Sequence, residues 1–277
     1  MLRCLLFALL VLPTLSSAAS FYVDPIHGSD SSDGSFSSPW KSLNYLFNNG
    51  MIESRQWNSL PYNASTSYLV EKNSGAVIQG GDIIYLRSGH YGELSIISYY
   101  NTAPITIAAE QGNVPVFRNI LLRSGSNWVL SGLTVSPSAL PDASFSYLID
   151  LDSHGWTGPV HSIKVSGCKL YSTASSGSWS REDWNRKAKN GISVDGTDMT
   201  VSHNSLTNVN FGISLGASHS LIEWNRIENF SGDGLRGLGD HTVFQYNTIS
   251  DTGWPRHPSC PSSTTLTPML PLLLQDN

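Results

Sequence analysis

A short column of polar residues recurs at equivalent positions in this sequence, and its members could carry chemistry. Asp150, Ser193 and Ser214 each stand between two apolar residues, and Arg236 holds the equivalent place between Leu235 and Gly237. Arg236 is the only cation in the column. A guanidinium stays protonated at any working pH and can hold a carboxylate through two parallel hydrogen bonds. We therefore expect Arg236 to pair with an acidic group of a ligand.

Two further carboxyl groups accompany this column. Asp152 follows Asp150 by two positions, so both side chains should lie on the same face of a strand. Asp195 follows in a later repeat, two positions after Ser193. Carboxyl groups exchange protons in acid and base catalysis, so these three residues are candidates for such chemistry.

A repeated pattern defines the elements that position these residues. The pattern apolar, any, any, Asn, any, apolar occurs around Asn204, Asn225 and Asn247, which are 21 and 22 residues apart. A fixed period of about 20 to 50 residues is typical of stacked units. The same frame fits residues 165–170 and 130–135, and the longer gaps there indicate insertions between strands.

A second strand of apolar, polar, apolar type recurs in step with this pattern. Propeller blades repeat at about 40 residues or more, and sandwiches do not recur at equal intervals. We therefore predict a solenoid with one coil per 21 or 22 residues, in which like residues stack on like residues. Asn204, Asn225 and Asn247 should then form an inward structural ladder whose side-chain amides bond one another and the turn backbone.

Composition and the N-terminus indicate the class of protein. The chain has 277 residues, 40% hydrophobic and 13% charged, with a formal net charge of −5. That length suits one large domain, and the slightly acidic balance disfavours a nucleic-acid partner. The N-terminus is typical of a secretory signal peptide over 1–19: it has Arg3, an apolar run at 5–12 and small residues before Ser20. The apolar run is too short to span a membrane. We expect a secreted monomer without a membrane anchor.

Two asparagine sequons are relevant if the protein is secreted. Asn63 and Asn229 each begin an Asn-x-Ser triplet, so both are predicted glycosylation sites in a host that glycosylates. Cys4 would leave with the signal peptide, Cys168 stands at an inward ladder position and Cys260 lies in the irregular tail. We expect no disulfide framework and no zinc-type site.

The segment before the repeats carries several motifs. They are the strand Phe21-Tyr22-Val23, a Gly- and Asp-rich loop at 28–34, Pro39-Trp40, an amphipathic stretch at 42–47, and GDIIYLRSGHY at 81–91. Together these motifs resemble those of secreted right-handed parallel β-helix proteins of the pectate-lyase-like superfamily. The resemblance implies an all-β, single-stranded right-handed parallel β-helix over 81–254. A cap and a loop-rich excursion over 20–80 would precede it.

The same resemblance implies an activity. Such proteins mostly act on acidic polysaccharides in a groove on one flat sheet, and the lyases among them cleave by β-elimination. That reaction removes the proton next to a uronate carboxylate, so the carboxylate must be neutralised and a Lys or Arg must take the proton. Oxygen ligands suit Ca²⁺. Asp150, Asp152 and Asp195 are therefore predicted Ca²⁺ ligands, and Arg236 and Lys189 are the predicted catalytic cations.

Further residues are predicted to bind the polysaccharide. A short inserted helix is expected over 181–189, because Ser180 is a suitable N-cap, acidic residues follow it, and basic residues stand at the other end. Trp184 in this helix could stack on a sugar ring. The other candidates flank Arg236 or belong to the polar column: Asp233, Asp240, Ser193 and Ser214.

Several alternatives stay open. A glycoside hydrolase would need two carboxyl groups about 5 to 10 Å apart, which Asp150, Asp152 and Asp195 could supply. A C5-epimerase shares the proton-abstraction step, and a solenoid that binds glycans without cutting them needs no catalyst. The tail at 255–277 lacks the repeat. Either the chain is truncated or out of frame there, which would leave it inert, or the tail folds over the last coil as a cap.

Overall fold

The computed structural model describes residues 18–139 and 146–250. Nearly all of the predicted signal peptide at 1–19, and all of the predicted tail at 255–277, lie outside the described residues. Within the described ranges, no helix is long and apolar enough to cross a membrane.

The described chain is built mainly of short strands. Its two α-helices are α1 (Leu43–Asn48) and α2 (Arg181–Lys187). In chain order the strands are β1 (Ser20–Val23), β2 (Ser54–Trp57), β3 (Leu69–Lys72), β4 (Ile83–Leu86), β5 (Gly89–Ala109), β6 (Pro115–Ser131), β7 (Thr134–Val135), β8 (Tyr147–Asp152), β9 (His161–Ser166), β10 (Lys169–Tyr171), β11 (Asn190–Val194), β12 (Thr200–Ser202), β13 (Ser205–Val209), β14 (Ile213–Leu215), β15 (Leu221–Glu223), β16 (Arg226–Phe230), β17 (Leu235–Gly237), β18 (Val243–Gln245) and β19 (Thr248–Ser250).

Parallel pairing joins all of these strands except β2 and β3 into a solenoid wall with three stacks. The first stack ends with β12, β15 and β18, the second with β13, β16 and β19, and the third with β11, β14 and β17. Each later coil therefore contributes one strand to each stack, and the long strands β5 and β6 turn the corners between stacks. The predicted parallel β-helix is confirmed.

The repeated asparagine pattern contains two strands rather than one. Val201 belongs to β12 and Leu206 to β13, and the chain turns a corner between them at Asn204. The residue before each ladder asparagine has a left-handed backbone: φ is 59° at His203, 55° at Trp224 and 55° at Tyr246. A two-residue corner of this kind is too short to show as a gap in the hydrophobic pattern.

The predicted asparagine ladder runs inside this corner. Asn225 Oδ1 accepts hydrogen bonds from the main-chain N–H and the side-chain Nδ2 of Asn204, at 3.0 and 2.9 Å. Asn247 Oδ1 accepts the same pair from Asn225, at 2.9 and 3.0 Å. Nδ2 of Asn225 also donates to the Val201 carbonyl at 2.9 Å. Each amide thus satisfies corner backbone groups that would otherwise be buried without a partner.

The interior of the solenoid is filled by aligned apolar side chains. In the first stack Ile107, Leu130, Val165, Val201 and Ile222 lie directly above one another and are fully buried. Each such side chain contributes roughly 1.5 to 3 kcal/mol by leaving water. Like residues therefore stack on like residues throughout the core.

The N-terminal segment closes the first coil. Leu43 and Leu46 of α1 are buried against the core, and Ser42 caps the helix by accepting the Tyr45 N–H at 3.2 Å. The strand β1 pairs in register with β4, so the first stack already begins within the segment predicted as a cap. The excursion that follows forms the antiparallel pair β2 and β3. The helix covers a coil whose core would otherwise be exposed, while the hairpin packs beside β5, where Trp57 Nε1 donates to the Tyr100 hydroxyl at 2.9 Å.

The inserted helix forms as predicted but is shorter. Ser180 and Asp183 make a reciprocal capping box, and Lys187 pairs with Asp183 at 2.7 Å. The helix ends at Lys187 rather than at Lys189, because Ala188 has an extended backbone with ψ of 124°.

The ladder yields a stability prediction. Asn225→Ala leaves the Asn204 N–H groups and the Val201 carbonyl without their partner inside the corner. At roughly 1 to 3 kcal/mol for each unsatisfied group, the free energy of unfolding should fall by about 3 kcal/mol or more in chemical denaturation. The matched control is Asn185→Ala on the exposed surface of α2, which should leave stability within about 0.5 kcal/mol. Equal effects of the two changes would show that the ladder is dispensable.

Candidate functional site

One surface depression brings together most of the predicted site. Its volume is about 330 Å³, and the predicted residues that line it are Asp150, Asp152, Ser193, Asp195, Ser214 and Arg236. The register explains this grouping, because Asp150 aligns with Ser193, Ser193 with Ser214, and Ser214 with Arg236 in the third stack. Residues far apart in sequence thus lie on neighbouring strands, about 5 Å apart per step.

A glycine column lets the coils of this stack approach closely. Gly191, Gly212 and Gly234 stand at the start of successive strands. A Cβ at Gly212 would lie 2.1 Å from the Gly234 carbonyl oxygen, and one at Gly191 would lie 2.3 Å from the Gly212 oxygen. The sequence analysis missed this column, although its spacing of 21 and 22 residues equals that of the ladder asparagines.

Asp150 is the acidic residue with the most altered proton affinity in the depression. Partial burial raises the pKa of its carboxyl group, and the neighbouring Asp152 and Asp195 carboxylates raise it further. A hydrogen bond from Ser193 and the positive charge of Arg123 lower the pKa, each by less than burial or the Asp152 carboxylate raises it. A carboxyl group of this kind can hold a proton where an ordinary aspartate has lost it, which is what a general acid requires.

Arg236 is exposed at the other end of the depression. Its guanidinium lies over the ring of Phe211, 5.0 Å from the ring centroid, so a cation–π contact orients it. Phe211 belongs to the preceding coil, and its ring leaves no room for a Cβ at Gly232, where the distance would be 2.8 Å. Among the described carboxylates, none forms an ion pair with Arg236, including those of Asp233 and Asp240. The guanidinium is therefore available to an acidic ligand.

Two of the three predicted Ca²⁺ ligands have protein partners in this structure, and Ca²⁺ binding stays a prediction. Asp152 is bound by Arg123, with 2.5 Å between Oδ2 and Nε, and Asp195 Oδ1 accepts the Gly196 N–H at 2.8 Å. No group of three acidic, His or Cys side chains in the described ranges is arranged to hold a metal ion. Arg123 supplies a positive charge where the prediction required a cation. No sequence pattern predicted this pairing, because Arg123 lies within the long strand β6.

The other predicted substrate and catalytic residues lie outside the depression. Trp184 is only 4% exposed and meets Trp179 edge to face at 5.1 Å, so its face is not available for a sugar ring. The helix needs this side chain to pack against the coils. Lys189 precedes β11 at a corner, where its N–H donates to Ser172 Oγ at 2.8 Å and burial lowers the pKa of its amine. Asp233 and Asp240 are exposed and do not line the depression.

The two predicted glycosylation sites differ in their surroundings. Asn63 is exposed at the start of a turn, where its Oδ1 accepts the Ser65 N–H at 2.9 Å. Nδ2 of Asn229 instead donates to Ser176 Oγ at 2.8 Å and to Asn208 Oδ1 at 2.6 Å. Asn229 is thus part of a second asparagine corner, and a glycan on its nitrogen would remove a hydrogen that this corner uses.

Asp150 yields a prediction about stability and pH. Because its pKa is raised in the folded chain, the folded state binds this proton more tightly than the unfolded state. The corresponding stability is present below the unfolded value of 3.8 and is lost as the pH rises through the folded pKa. Asp150→Asn should therefore increase the midpoint of thermal unfolding at about pH 7 and leave it unchanged at about pH 3. Asp233→Asn, at an exposed position, is the control. A loss of stability at neutral pH in Asp150→Asn would contradict the assigned environment.

Comparison with known proteins supports the fold. The chain matches no known family profile and no curated protein sequence. Among solved structures it is similar to a pectate lyase, Pel9A, with a TM-score of 0.50 and 15% identity over 86% of this chain and 64% of that one. At this identity the likeness concerns the fold alone, and it identifies the solenoid as a right-handed parallel β-helix.

Two further solved structures are less similar. They are a rhamnogalacturonan lyase (TM-score 0.45, 14% identity, 89% of this chain and 66% of that one) and a GH136 lacto-N-biosidase from Eubacterium ramulus (TM-score 0.39, 14% identity, 84% and 56%). The chain therefore spans about two thirds or less of the length of each of these proteins.

Proposed function

We propose that this chain is a secreted carbohydrate-active protein that binds an acidic polysaccharide in the depression of the third stack and cleaves it by β-elimination. One observation carries the proposal. An exposed guanidinium that has no carboxylate partner in the described ranges, that of Arg236, shares a depression with a partly buried carboxyl group of raised pKa, that of Asp150. The first suits the carboxylate of a uronate, and the second suits the protonation of a leaving oxygen.

Arg236 neutralises the substrate in this proposal. Removal of the proton next to a uronate carboxylate places negative charge on that carboxylate, and a bidentate guanidinium stabilises the charge as it develops. The cation–π contact with Phe211 holds the guanidinium in place before the substrate arrives. Arg236 thus supplies the positive charge that the reaction needs at the carboxylate, and a Ca²⁺ ion on the aspartates stays a separate prediction.

Two aspartates share the proton transfers. Asp195 is the proposed base, since Arg123 occupies Asp152 and the raised pKa of Asp150 favours its neutral form. Asp195 takes the proton, the C–O bond of the leaving sugar breaks, and Asp150 protonates the leaving oxygen. A double bond forms in the remaining sugar. Lys189 does not line the depression, so the proposal gives it no step.

Hydrolysis is the second candidate, because the grouped carboxyl groups favour it. A pair of carboxyl groups with different proton affinities is the arrangement that glycoside hydrolases use for acid and base. Asp150 would again be the acid, and Asp195 would activate a water or attack the sugar. The two candidates share residues and differ in product.

The product distinguishes the two reactions. Incubation with a panel of acidic polysaccharides that includes pectate, alginate and a rhamnogalacturonan should raise the ultraviolet absorbance with at least one of them, because only β-elimination creates an unsaturated uronate end conjugated with its carboxyl group. New reducing ends without a change in absorbance would show that the chain hydrolyses the polymer and does not cleave it by β-elimination. If neither signal appears across a panel of acidic polysaccharides, the proposal of cleavage fails.

Arg236 carries the sharpest prediction about rate. Arg236→Ala should lower kcat by about 10² to 10³, by analogy with the loss of an oxyanion donor, and should leave the unfolding midpoint nearly unchanged. Arg236→Lys should recover only part of the activity, because an ammonium cannot form two parallel hydrogen bonds. The matched control is Arg181→Ala, an exposed arginine at the start of α2. Full activity of the Arg236→Ala variant would show that Arg236 has no part in the reaction.

A further inference from the structure

A second depression lies at the N-terminal end of the solenoid. Its volume is about 500 Å³, and its walls come from α1 and from the first two coils: Asn44, Phe47, Asn48, Tyr91, Ser95 and Arg118 are among the lining residues. None of these residues was singled out by the sequence analysis. We call this space the cap depression.

The cap depression and the proposed active site lie on the same face of the molecule. Ser95 aligns with Leu121, and Leu121 aligns with Asp150, so Ser95 belongs to the same outward column as Asp150 and Arg236. Two strand spacings, about 10 Å, separate Ser95 from Asp150 along the solenoid axis, and about five, or 24 Å, separate it from Arg236. A polysaccharide laid along the third stack would span both depressions.

The charges of the two depressions differ. In the cap depression Arg118 forms an ion pair with Glu93, which also lines it, so the two charges neutralise each other. The side chains of this pair are 28% and 46% exposed and can still bond a ligand. Arg236 in the other depression has no carboxylate partner among the described residues. A uronate is therefore favoured beside Arg236 and not beside Arg118.

The walls of the cap depression suit a neutral sugar. Asn44 and Asn48 are exposed on α1 and line the depression. Asn44 Nδ2 donates to the Glu93 carbonyl at 3.2 Å, which leaves its second N–H and its Oδ1 for a ligand, and the Asn48 amide can both donate to and accept from hydroxyl groups. Phe47 and the ring of Tyr91 add an apolar wall, while the Tyr91 hydroxyl is held by the Val23 and Arg87 carbonyls at 2.9 Å. An apolar wall beside a few hydrogen-bonding groups is the usual composition of a site for a small neutral ligand.

We infer that the cap depression is a subsite for a neutral sugar residue of the same polysaccharide chain. The inference rests on the proposed function, because it assumes that the polymer lies along the third stack. It narrows the substrate class to polysaccharides that contain both uronate and neutral sugars. A polymer of uronate alone would place a carboxylate in a depression that offers it no free cation.

Binding measurements test this subsite independently of cleavage. The full chain is run in native gels that contain either polygalacturonate or a rhamnogalacturonan of alternating uronate and neutral sugar, at equal uronate content. The alternating polymer should retard the chain more strongly. Asn48→Ala should weaken retardation in the alternating polymer by about fivefold, the loss of one hydrogen bond, and should not change it in polygalacturonate. Asn48→Trp, which fills the depression, should abolish the preference.

Two further variants make the outcomes decisive. Asn49→Ala is the matched control, because Asn49 is adjacent and exposed but its amide bonds the Tyr45 carbonyl at 2.9 Å and does not line the depression. Arg236→Ala should weaken binding of both polymers alike. Equal retardation by the two polymers, no retardation by either, or no effect of both Asn48 variants would overturn the subsite. Failure to detect cleavage, with the predicted binding pattern intact, would overturn the catalytic proposal alone.

Discussion

The in-register stacking of successive coils is the constraint on which the rest of this structure depends. Each coil pairs only with its neighbours, so any residue type placed in a column must tolerate its own kind above and below. Apolar columns satisfy this by packing in the core. The asparagine column satisfies it because an amide carries both donors and an acceptor, so Asn204, Asn225 and Asn247 can bond one another and the corner backbone.

The same constraint creates the site. Outward side chains in the third stack have no core to fill, and register alone places Asp150, Ser193, Ser214 and Arg236 in one line. Burial and the like charge of Asp152 raise the pKa of Asp150, and Arg123 offsets part of that repulsion at Asp152. The glycines at the start of the strands allow the coils to approach closely. The solenoid thus maintains an electrostatic arrangement that its stability alone would not favour.

The period of the asparagines was sufficient to predict a solenoid and its ladder, because residues one period apart stack in one column, and the resemblance of the N-terminal motifs added the parallel β-helix. Parity along the strands placed Asp150, Asp152, Asp195 and Arg236 on one face, and all four line one depression. The pattern did not show that each ladder motif holds two strands, since the corner between them is two residues long.

Neighbouring side chains from other coils were not predicted either. Phe211 under Arg236 and Arg123 beside Asp152 depend on side-chain directions that no local pattern encodes. Trp184 was predicted to stack on a sugar ring, but its side chain packs edge to face against Trp179.

The central claim is that an acidic sugar lies between Arg236 and Asp150. A crystal structure of the Asp150→Asn variant with a bound oligouronate tests it most directly, because this variant should bind the substrate but turn it over slowly. The account predicts a sugar carboxylate within about 3 Å of the Arg236 guanidinium nitrogens, as a bidentate pair, with a glycosidic oxygen beside residue 150. An oligouronate bound on another face, with Arg236 still only over Phe211, would contradict it.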